Sequence, residues 1–295
     1  MDRNVSVAMA TYNGSRYIEE QLFSILNQSL PPKEIIIIDD NSTDDTFDIL
    51  KKIQESHPTI VLYKNDTNIG PIKTFKKAVA SSKFDFVALC DQDDVWKSNK
   101  IEICLNQLKQ LDQNLPSIVF TDLQMIDSNG SVLQNSFWEY QNYNVSKTKF
   151  KHLLFGNIVT GCTVLMNSSM KREILKMPND VIMHDYWIAL IAFSIGSFKA
   201  IGTSTINFRV HRESVTDKSK RTILVRIKLL LDIFTGSQNN YKNQNILQAE
   251  SFFNIYKERL NQENSNDIRK FLALKNKNAI LRKIYVGYLK FLSKS

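Results

Sequence analysis

Short runs of consecutive apolar residues alternate with segments of helical periodicity through the first half of the chain. Val5 to Ala10 is one such run, ending in the polar loop Thr11-Tyr12-Asn13-Gly14-Ser15. Ile18, Leu22, Ile25 and Leu26 then share one face of a helix predicted over Arg16 to Gln28, which Pro31-Pro32 closes. Glu34 to Asp39 encloses a continuous β-branched run, Ile35 to Ile38, as in a strand covered on both faces. Asn41-Ser42-Thr43-Asp44 offers caps for a helix to about Ser56. A strand over Thr59 to Tyr63, a helix over Pro71 to Ser82 and a strand over Phe84 to Leu89 follow. Strands separated by helices predict βαβ units and an α/β fold with a mainly parallel, Rossmann-like central sheet flanked by helices. In such sheets ligands sit at the carboxyl ends of the strands. Three of those ends are polar: Thr11-Tyr12-Asn13, Asp39-Asp40-Asn41 and Asp91-Gln92-Asp93-Asp94. They are expected to converge on one crevice.

The pattern continues with a helix from Lys97 to about Gln113 and a strand over Ser117 to Asp122. Next come a strand with a turn at Gly161 over Asn157 to Met166, an amphipathic helix over His184 to Ile195 and a strand over Ile201 to Val210. Beyond Arg212 the strand–helix rhythm gives way to Lys- and Asn-rich helical segments. A boundary near residue 215 divides an α/β domain, 1–214, from a basic helical C-terminal region, 215–295.

Charge sharpens that division. The net charge is +8, but Arg212 onward carries 17 basic and 7 acidic residues, against 21 and 23 before it. A slightly acidic body thus bears a basic tail, which suits polyanions such as an anionic membrane surface, or simple solvation. Cys90, Cys104 and Cys162 lie far apart with no CxxC pair, which argues against a disulfide framework or zinc site and fits a reducing compartment. Neither a secretory leader nor a span of about 20 apolar residues is present, so a cytoplasmic location is expected.

Asp91, Asp93 and Asp94 put three carboxylates within four positions at a strand end. Their repulsion is costly unless a cation or hydrogen-bond donors offset it. Oxygen ligands suit Mg²⁺ or Mn²⁺, which typically take one or two carboxylates plus substrate phosphates. The alternative is a solvated acidic turn that caps the next helix. The buried strand leading into the cluster, and the second acidic strand end at Asp39-Asp40, favour the metal reading.

The ordered series Thr11-Tyr12-Asn13, Ile38-Asp39-Asp40-Asn41-Ser42-Thr43-Asp44, Asn68-Ile69-Gly70 and Asp91-Gln92-Asp93-Asp94-Val95-Trp96 resembles the inverting family-2 glycosyltransferases of GT-A fold. The last motif is most similar to the bacterial rhamnosyltransferase-like branch, and the resemblance runs from Val5 to about His211. It implies that Thr11 and Tyr12, with Asn13 in the same loop, frame the donor nucleobase, and that Asp40 accepts hydrogen bonds from it. Asp39 would position the strand end. Asp91 would hold the ribose hydroxyls or the metal, and Asp93 would ligate a metal bridging the two phosphates. Lys73 is either a further nucleotide contact or a solvated helix lysine.

A second cluster, Met183-His184-Asp185-Tyr186-Trp187, stands where the family keeps its catalytic base. Asp185 would take the proton of an acceptor hydroxyl, and Tyr186 and Trp187 would offer flat faces on which sugars pack. The bland reading makes Asp185 a helix cap and Trp187 core. His184 occupies a position where many relatives carry another acid. Late in the series, His211 would complete the metal shell and Arg209 contact phosphate. Gly161-Cys162-Thr163 lies where relatives shape the acceptor pocket, Gly161 permitting close approach and Cys162 packing as a small residue.

The implied activity is metal-dependent, inverting transfer of one sugar from a nucleoside-diphosphate sugar, dTDP-rhamnose or a UDP-sugar. The acceptor would be a hydroxyl of a glycan or lipid-linked glycan in bacterial surface polysaccharide synthesis. No QxxRW motif of processive synthases is present. A nucleotidyltransferase using the same acidic site is the nearest alternative. A nucleic-acid-binding role leaves the acidic strand ends unexplained, and no nucleic acid partner is expected. The first strand is not followed by the GxGxxG of dinucleotide oxidoreductases. Two tail stretches, Ile223 to Phe234 and Ile280 to Phe291, mix apolar and basic residues, as interfacial helices or helices docked on the body would. Peripheral attachment to the inner face of the cell membrane is the expectation drawn from them.

Overall fold

The isoleucine run shows how the core is divided. Ile36 and Ile38 face one side of the sheet and Ile35 and Ile37 the other, all four buried, because side chains alternate along a strand. The computed structural model describes residues 4–210 and 239–276. In chain order the strands are β1 (Val5–Thr11), β2 (Glu34–Asp39), β3 (Ile60–Lys64), β4 (Phe86–Cys90), β5 (Val95–Trp96), β6 (Ser117–Ile126), β7 (Val132–Gln134), β8 (Leu165–Met166) and β9 (Ser197–Arg209). They form one sheet in the order β3-β2-β1-β4-β8-β6-β9-β5, with β7 added on β6. β1 to β4 are mutually parallel where they pair. β8 is antiparallel to both β4 and β6, so β6 emerges at the same end of the sheet as β4. β9 runs parallel to β6.

The helices are α1 (Ile18–Leu26), α2 (Thr46–Ser56), α3 (Pro71–Ser81), α4 (Lys100–Leu108), α5 (Phe137–Gln141), α6 (Phe150–Leu153), α7 (Ser168–Leu175), α8 (His184–Ser194), α9 (Asn239–Tyr256) and α10 (Gln262–Leu272). α1, α2 and α4 cover one face of the sheet; α3, α7 and α8 cover the other. Two expectations need correction. Asn157 to Met166 has its expected turn, a 3₁₀ turn at Gly161–Thr163, but is mostly not strand, with β8 reduced to two residues. α8 is not amphipathic either, since His184, Tyr186–Trp187 and Ile188–Ala192 are all buried, as in a helix enclosed on every side.

The enclosure of α8 has a clear cause. Phe252 and Tyr256 of α9 pack on Trp187 at ring distances of 5.2 and 6.2 Å. Gln248 Oε1 accepts the Ile182 N–H at 2.8 Å just ahead of α8, and Arg259 pairs with Glu173 of α7 at 2.7 Å. The described part of the C-terminal region therefore shares the core with the α/β body. Ile223 to Phe234 and Ile280 to Phe291 lie outside the described residues. Among the described residues, no helix is long and apolar enough to cross a membrane.

Candidate active site

Parallel pairing brings the ends of β1, β2 and β4 side by side, since Thr11 is in register with Asp39 and Met9 with Cys90. The loops beyond them interlock. Asn13, at φ 50°, donates its N–H to Ser42 Oγ (2.9 Å) and accepts the Thr43 N–H on Oδ1 (2.9 Å). Asn is among the few residues that adopt this left-handed conformation readily. Gln92 grips the backbone of Tyr12 from both sides, accepting its N–H at 2.8 Å and donating to its carbonyl at 3.0 Å. A Cβ on Gly14 would lie 2.4 Å from Gln92 Oε1, so glycine is required for that grip. Tyr12 is left 45% exposed over the crevice. Thr11 instead points inward, its hydroxyl donating to Asp39 Oδ1 at 3.2 Å. Its side chain holds the loop, and the open face belongs to Tyr12.

Asp39 also accepts the N–H and the hydroxyl of Ser42. Asp40, 3% exposed, accepts from Asn65 Nδ2 (2.8 Å), Ile69 N (2.9 Å) and Gly70 N (2.8 Å). These use three of the roughly four acceptor sites of a carboxylate. Asp40 thus fastens the loop ahead of α3, where Gly70 sits at φ 82°, with one acceptor site left over. Lys73 is exposed on the first turn of α3.

At the end of β4 the carboxylates crowd. One oxygen each of Asp91 and Asp94 and the Cys162 sulfur lie within 4.8 Å of one another. Burial, then Asp93, then Asp185 push the Asp91 carboxyl up to about 7. Burial, with Asp93 and Asp91 beside it, raises Asp94 well above the carboxylate range. Asp94 Oδ1 accepts the Arg209 N–H at 3.1 Å, and the Cys162 thiol hydrogen-bonds the same carboxylate. The donor set fits a hard divalent cation, since its clustered carboxylate oxygens repel one another without one. Cys162 contributes a protonated thiol rather than a thiolate, because burial and the neighbouring carboxylates raise it.

Arg209 is spent on this turn and not on phosphate. Its side chain is 2% exposed; Nε donates to the Asp93 carbonyl at 3.1 Å, and the remaining nitrogens reach the carbonyls of Asp127 and Ser128 and the Glu20 carboxylate (2.7 Å). The guanidinium also lies 4.5 Å over the Tyr17 ring. His211, the expected third ligand, lies outside the described residues.

Asp185 in the first turn of α8 meets this cluster from the other side. Gly161 donates its N–H to Asp185 Oδ2 at 3.1 Å. Burial raises the Asp185 carboxyl to about 6, against hydrogen bonds from Tyr186, Gly161 and Asn157 that lower it. The turn at Gly161–Thr163 therefore touches the expected base through Gly161 and the acidic cluster through Cys162. A Cβ on Gly161 would meet His184 Nε2 at 3.0 Å. His184 itself is buried, stacked on Phe75 at 4.1 Å, and held neutral, since burial depresses it to about 3.

Tyr186 and Trp187 do not line the crevice. They are 3% and 0% exposed, the Tyr186 hydroxyl donates to the Leu153 carbonyl, and Trp187 packs on α9. With no face open to solvent they act as core, and the expectation that they hold an acceptor sugar is corrected. Asp122 went unnoticed in the sequence. Its carboxylate accepts from Ser136 Oγ, Phe137 N and Trp138 N, fixing the start of α5 against the middle of β6. The available signal was an acid late in a strand followed by the cap Ser136-x-x-Glu139.

Known proteins resemble this chain in sequence or in fold. The dTDP-rhamnosyl transferase RfbG of Shigella flexneri is 30% identical over 271 residues, covering 83% of this chain and 86% of its own. TuaG of Bacillus subtilis, a glycosyltransferase named for teichuronic acid biosynthesis, is 29% identical over 63% of this chain and 71% of its own. In fold, the chain is similar to S. aureus TarS 1-349 in complex with UDP: TM-score 0.61, 18% identity, 92% of this chain and 70% of that one. The TarS complex with UDP-GlcNAc gives a TM-score of 0.62 at 16% identity over the same shares. These likenesses mark the sheet and its flanking helices as a GT-A glycosyltransferase fold. The family model described as Glycosyl transferase family 2 matches residues 6–176, more than half of the sequence, and the chain belongs to that family of glycosyltransferases.

Proposed function

We propose that the chain transfers one sugar, with inversion, from a nucleoside-diphosphate sugar to a hydroxyl of a glycan or lipid-linked glycan in bacterial surface polysaccharide synthesis. One observation carries the reading: Asp185, with its carboxyl raised to about 6, lies close enough to Asp91 for their charges to interact. A base thus stands beside the carboxylates suited to a diphosphate and its cation. Asp185 takes the proton of the acceptor hydroxyl as that oxygen attacks the anomeric carbon, and the carbon–oxygen bond to the diphosphate breaks, the diphosphate leaving with the electron pair. Gly161 holds the base in line through its N–H. Tyr12 offers the nucleobase a ring face, Asp40 its remaining acceptor site, and Asn13 and Lys73 border the same crevice. Asp91 and Asp93, with His211, would hold Mg²⁺ or Mn²⁺, whose charge would stabilise the leaving diphosphate.

RfbG, named for dTDP-rhamnose, and TarS, bound to UDP and UDP-GlcNAc, support a dTDP- or UDP-linked donor. The basic excess from Arg212 onward supports association with an anionic membrane surface at the cytoplasmic side. The test incubates the purified chain with dTDP- and UDP-sugars and Mn²⁺ or Mg²⁺. Release of nucleoside diphosphate is expected, abolished in Asp93→Ala while the fold persists. Turnover undiminished by excess chelator would remove the metal from the scheme. Pyrophosphate release from a nucleoside triphosphate and a sugar 1-phosphate, with no diphosphate released from the nucleotide sugars, would make the chain a nucleotidyltransferase.

A further inference from the structure

We propose that the concavity between α5 and the loop that follows it is a saccharide subsite for the acceptor, an inference that rests on the glycosyl-transfer reading. The cavity measures about 670 Å³ and is lined by Trp138, Asn142, Tyr143, Asn144, Val145 and Ser146. That volume is within the range of small-molecule sites, roughly 300–1,000 Å³. Its position is set by the sheet. β6 runs the same way as β4, and Asp122 lies four residues past Ile118 as Asp91 lies four past Val87, both of which pair with Met166. Asp122 fixes the first residues of α5 through the N–H groups of Phe137 and Trp138. The cavity, whose lining begins at Trp138, therefore stands beside the part of the sheet that is level with the acidic cluster.

It is also wired to the base. The Tyr143 hydroxyl donates to the Asn157 carbonyl at 3.4 Å, and the Asn157 side chain hydrogen-bonds the Asp185 carboxylate. One wall thus lies a single intervening residue away from the group that must meet the acceptor hydroxyl. The lining chemistry fits a sugar. Trp138 and Tyr143 supply ring faces for apolar C–H surfaces, while Asn142, Asn144 and Ser146 supply donors and acceptors for hydroxyls. None of the six lining residues is charged, which disfavours a phosphate or a charged peptide. The loop is preformed, because Asn144 Oδ1 accepts from Ser146 Oγ at 2.9 Å and from Lys147 N at 3.3 Å. Pre-organisation lowers the cost of binding a small polar ligand. With Tyr186 and Trp187 buried, these residues take over the part once expected of that pair.

The experiment measures saturation-transfer NMR on the full chain with the methyl glycosides of rhamnose, glucose and N-acetylglucosamine, and titrates UDP and dTDP separately by calorimetry. Saturation transfer to at least one glycoside is expected. Binding should weaken roughly tenfold or more in Trp138→Ala, the order for losing a stacked ring and its burial. Trp138 also packs on Phe120, so a second variant guards against unfolding. Ser146→Trp fills the cavity from an exposed position and should likewise abolish transfer. Absence of saturation transfer with all three glycosides, or binding unchanged in Ser146→Trp, overturns the subsite. Failure of UDP and dTDP to bind would instead count against the donor reading, which the glycoside signals do not depend on.

Discussion

Asp185 keeps its proton to a pH at which an ordinary aspartate has lost it. The ordinary value is 3.8, and burial raises it to about 6 despite the hydrogen bonds from Tyr186, Gly161 and Asn157. As a base the group must be ionised, so kcat should rise with pH through about 6 and level off above it. Stability has the opposite sign. The folded carboxyl binds its proton more tightly than the unfolded one, so the contribution is present below about 4 and is lost as pH rises through about 6. Asp185→Asn should lose roughly 10²-fold or more in kcat with donor affinity kept, because an amide cannot accept the proton. Steady-state kinetics with donor calorimetry checks this, and a collapse of donor binding would assign Asp185 to the donor half instead. At this scale the sequence was legible where a motif marks residues that the fold brings together, as at Asp91 and Asp185. It was opaque where a side chain's partners are distant. Arg209 finds Glu20, Asp93, Asp127 and Ser128, and Asp40 finds Asn65, Ile69 and Gly70. No local pattern announces such partners.

Helices and strands were read well wherever one face or both were plainly apolar. Glu34–Asp39 is found where the continuous β-branched run put it, and Thr46–Ser56 ends where expected, although its N-cap is Asp45 with no side-chain cap bond. Trouble came where a segment is apolar for two reasons at once. His184–Ser194 shows no polar stripe because the sheet, α7 and α9 enclose it, so periodicity could not say which aromatic faces a ligand. Asn157 to Met166 has strand composition, yet its backbone turns at Gly161 to meet Asp185. The enclosing contact has a measurable consequence. Phe252 is fully buried against Trp187 and Phe150, and Phe252→Ala should cost about 3–5 kcal/mol, the usual range for emptying such a site. Denaturant unfolding reads the loss. Because α9 backs the helix that carries Asp185, kcat should fall further than donor affinity does. Wild-type stability in the variant would mean that α9 merely rests on the body.

Over the whole molecule, the division expected near residue 215 is a division of charge more than of packing. Residues 239–276 contribute Ile246, Phe252, Tyr256, Ile268 and Phe271 to the same core as α8, so part of the basic region is structural. The remaining question is whether the basic excess also does work at a surface. From Arg212 onward the charge is +10, against −2 for everything before it. Polybasic segments near anionic lipid gain roughly 1 kcal/mol per Lys or Arg, an attraction that salt weakens beyond about a Debye length. Apolar side chains between Ile223 and Phe234 would add buried area that salt does not screen. Binding to phosphatidylserine-containing vesicles should therefore weaken with ionic strength without vanishing. Cutting the chain near residue 215 is a poor test, since it would remove α9 and strip the cover from Trp187. Replacing Lys220, Arg221, Arg226 and Lys228 with glutamine leaves α9 and α10 intact and removes four positive charges. Sedimentation with vesicles should then drop while the unfolding midpoint stays put. Unchanged sedimentation, or none with the unaltered protein, would make the basic excess a matter of solvation and the helices beyond it a packing element alone.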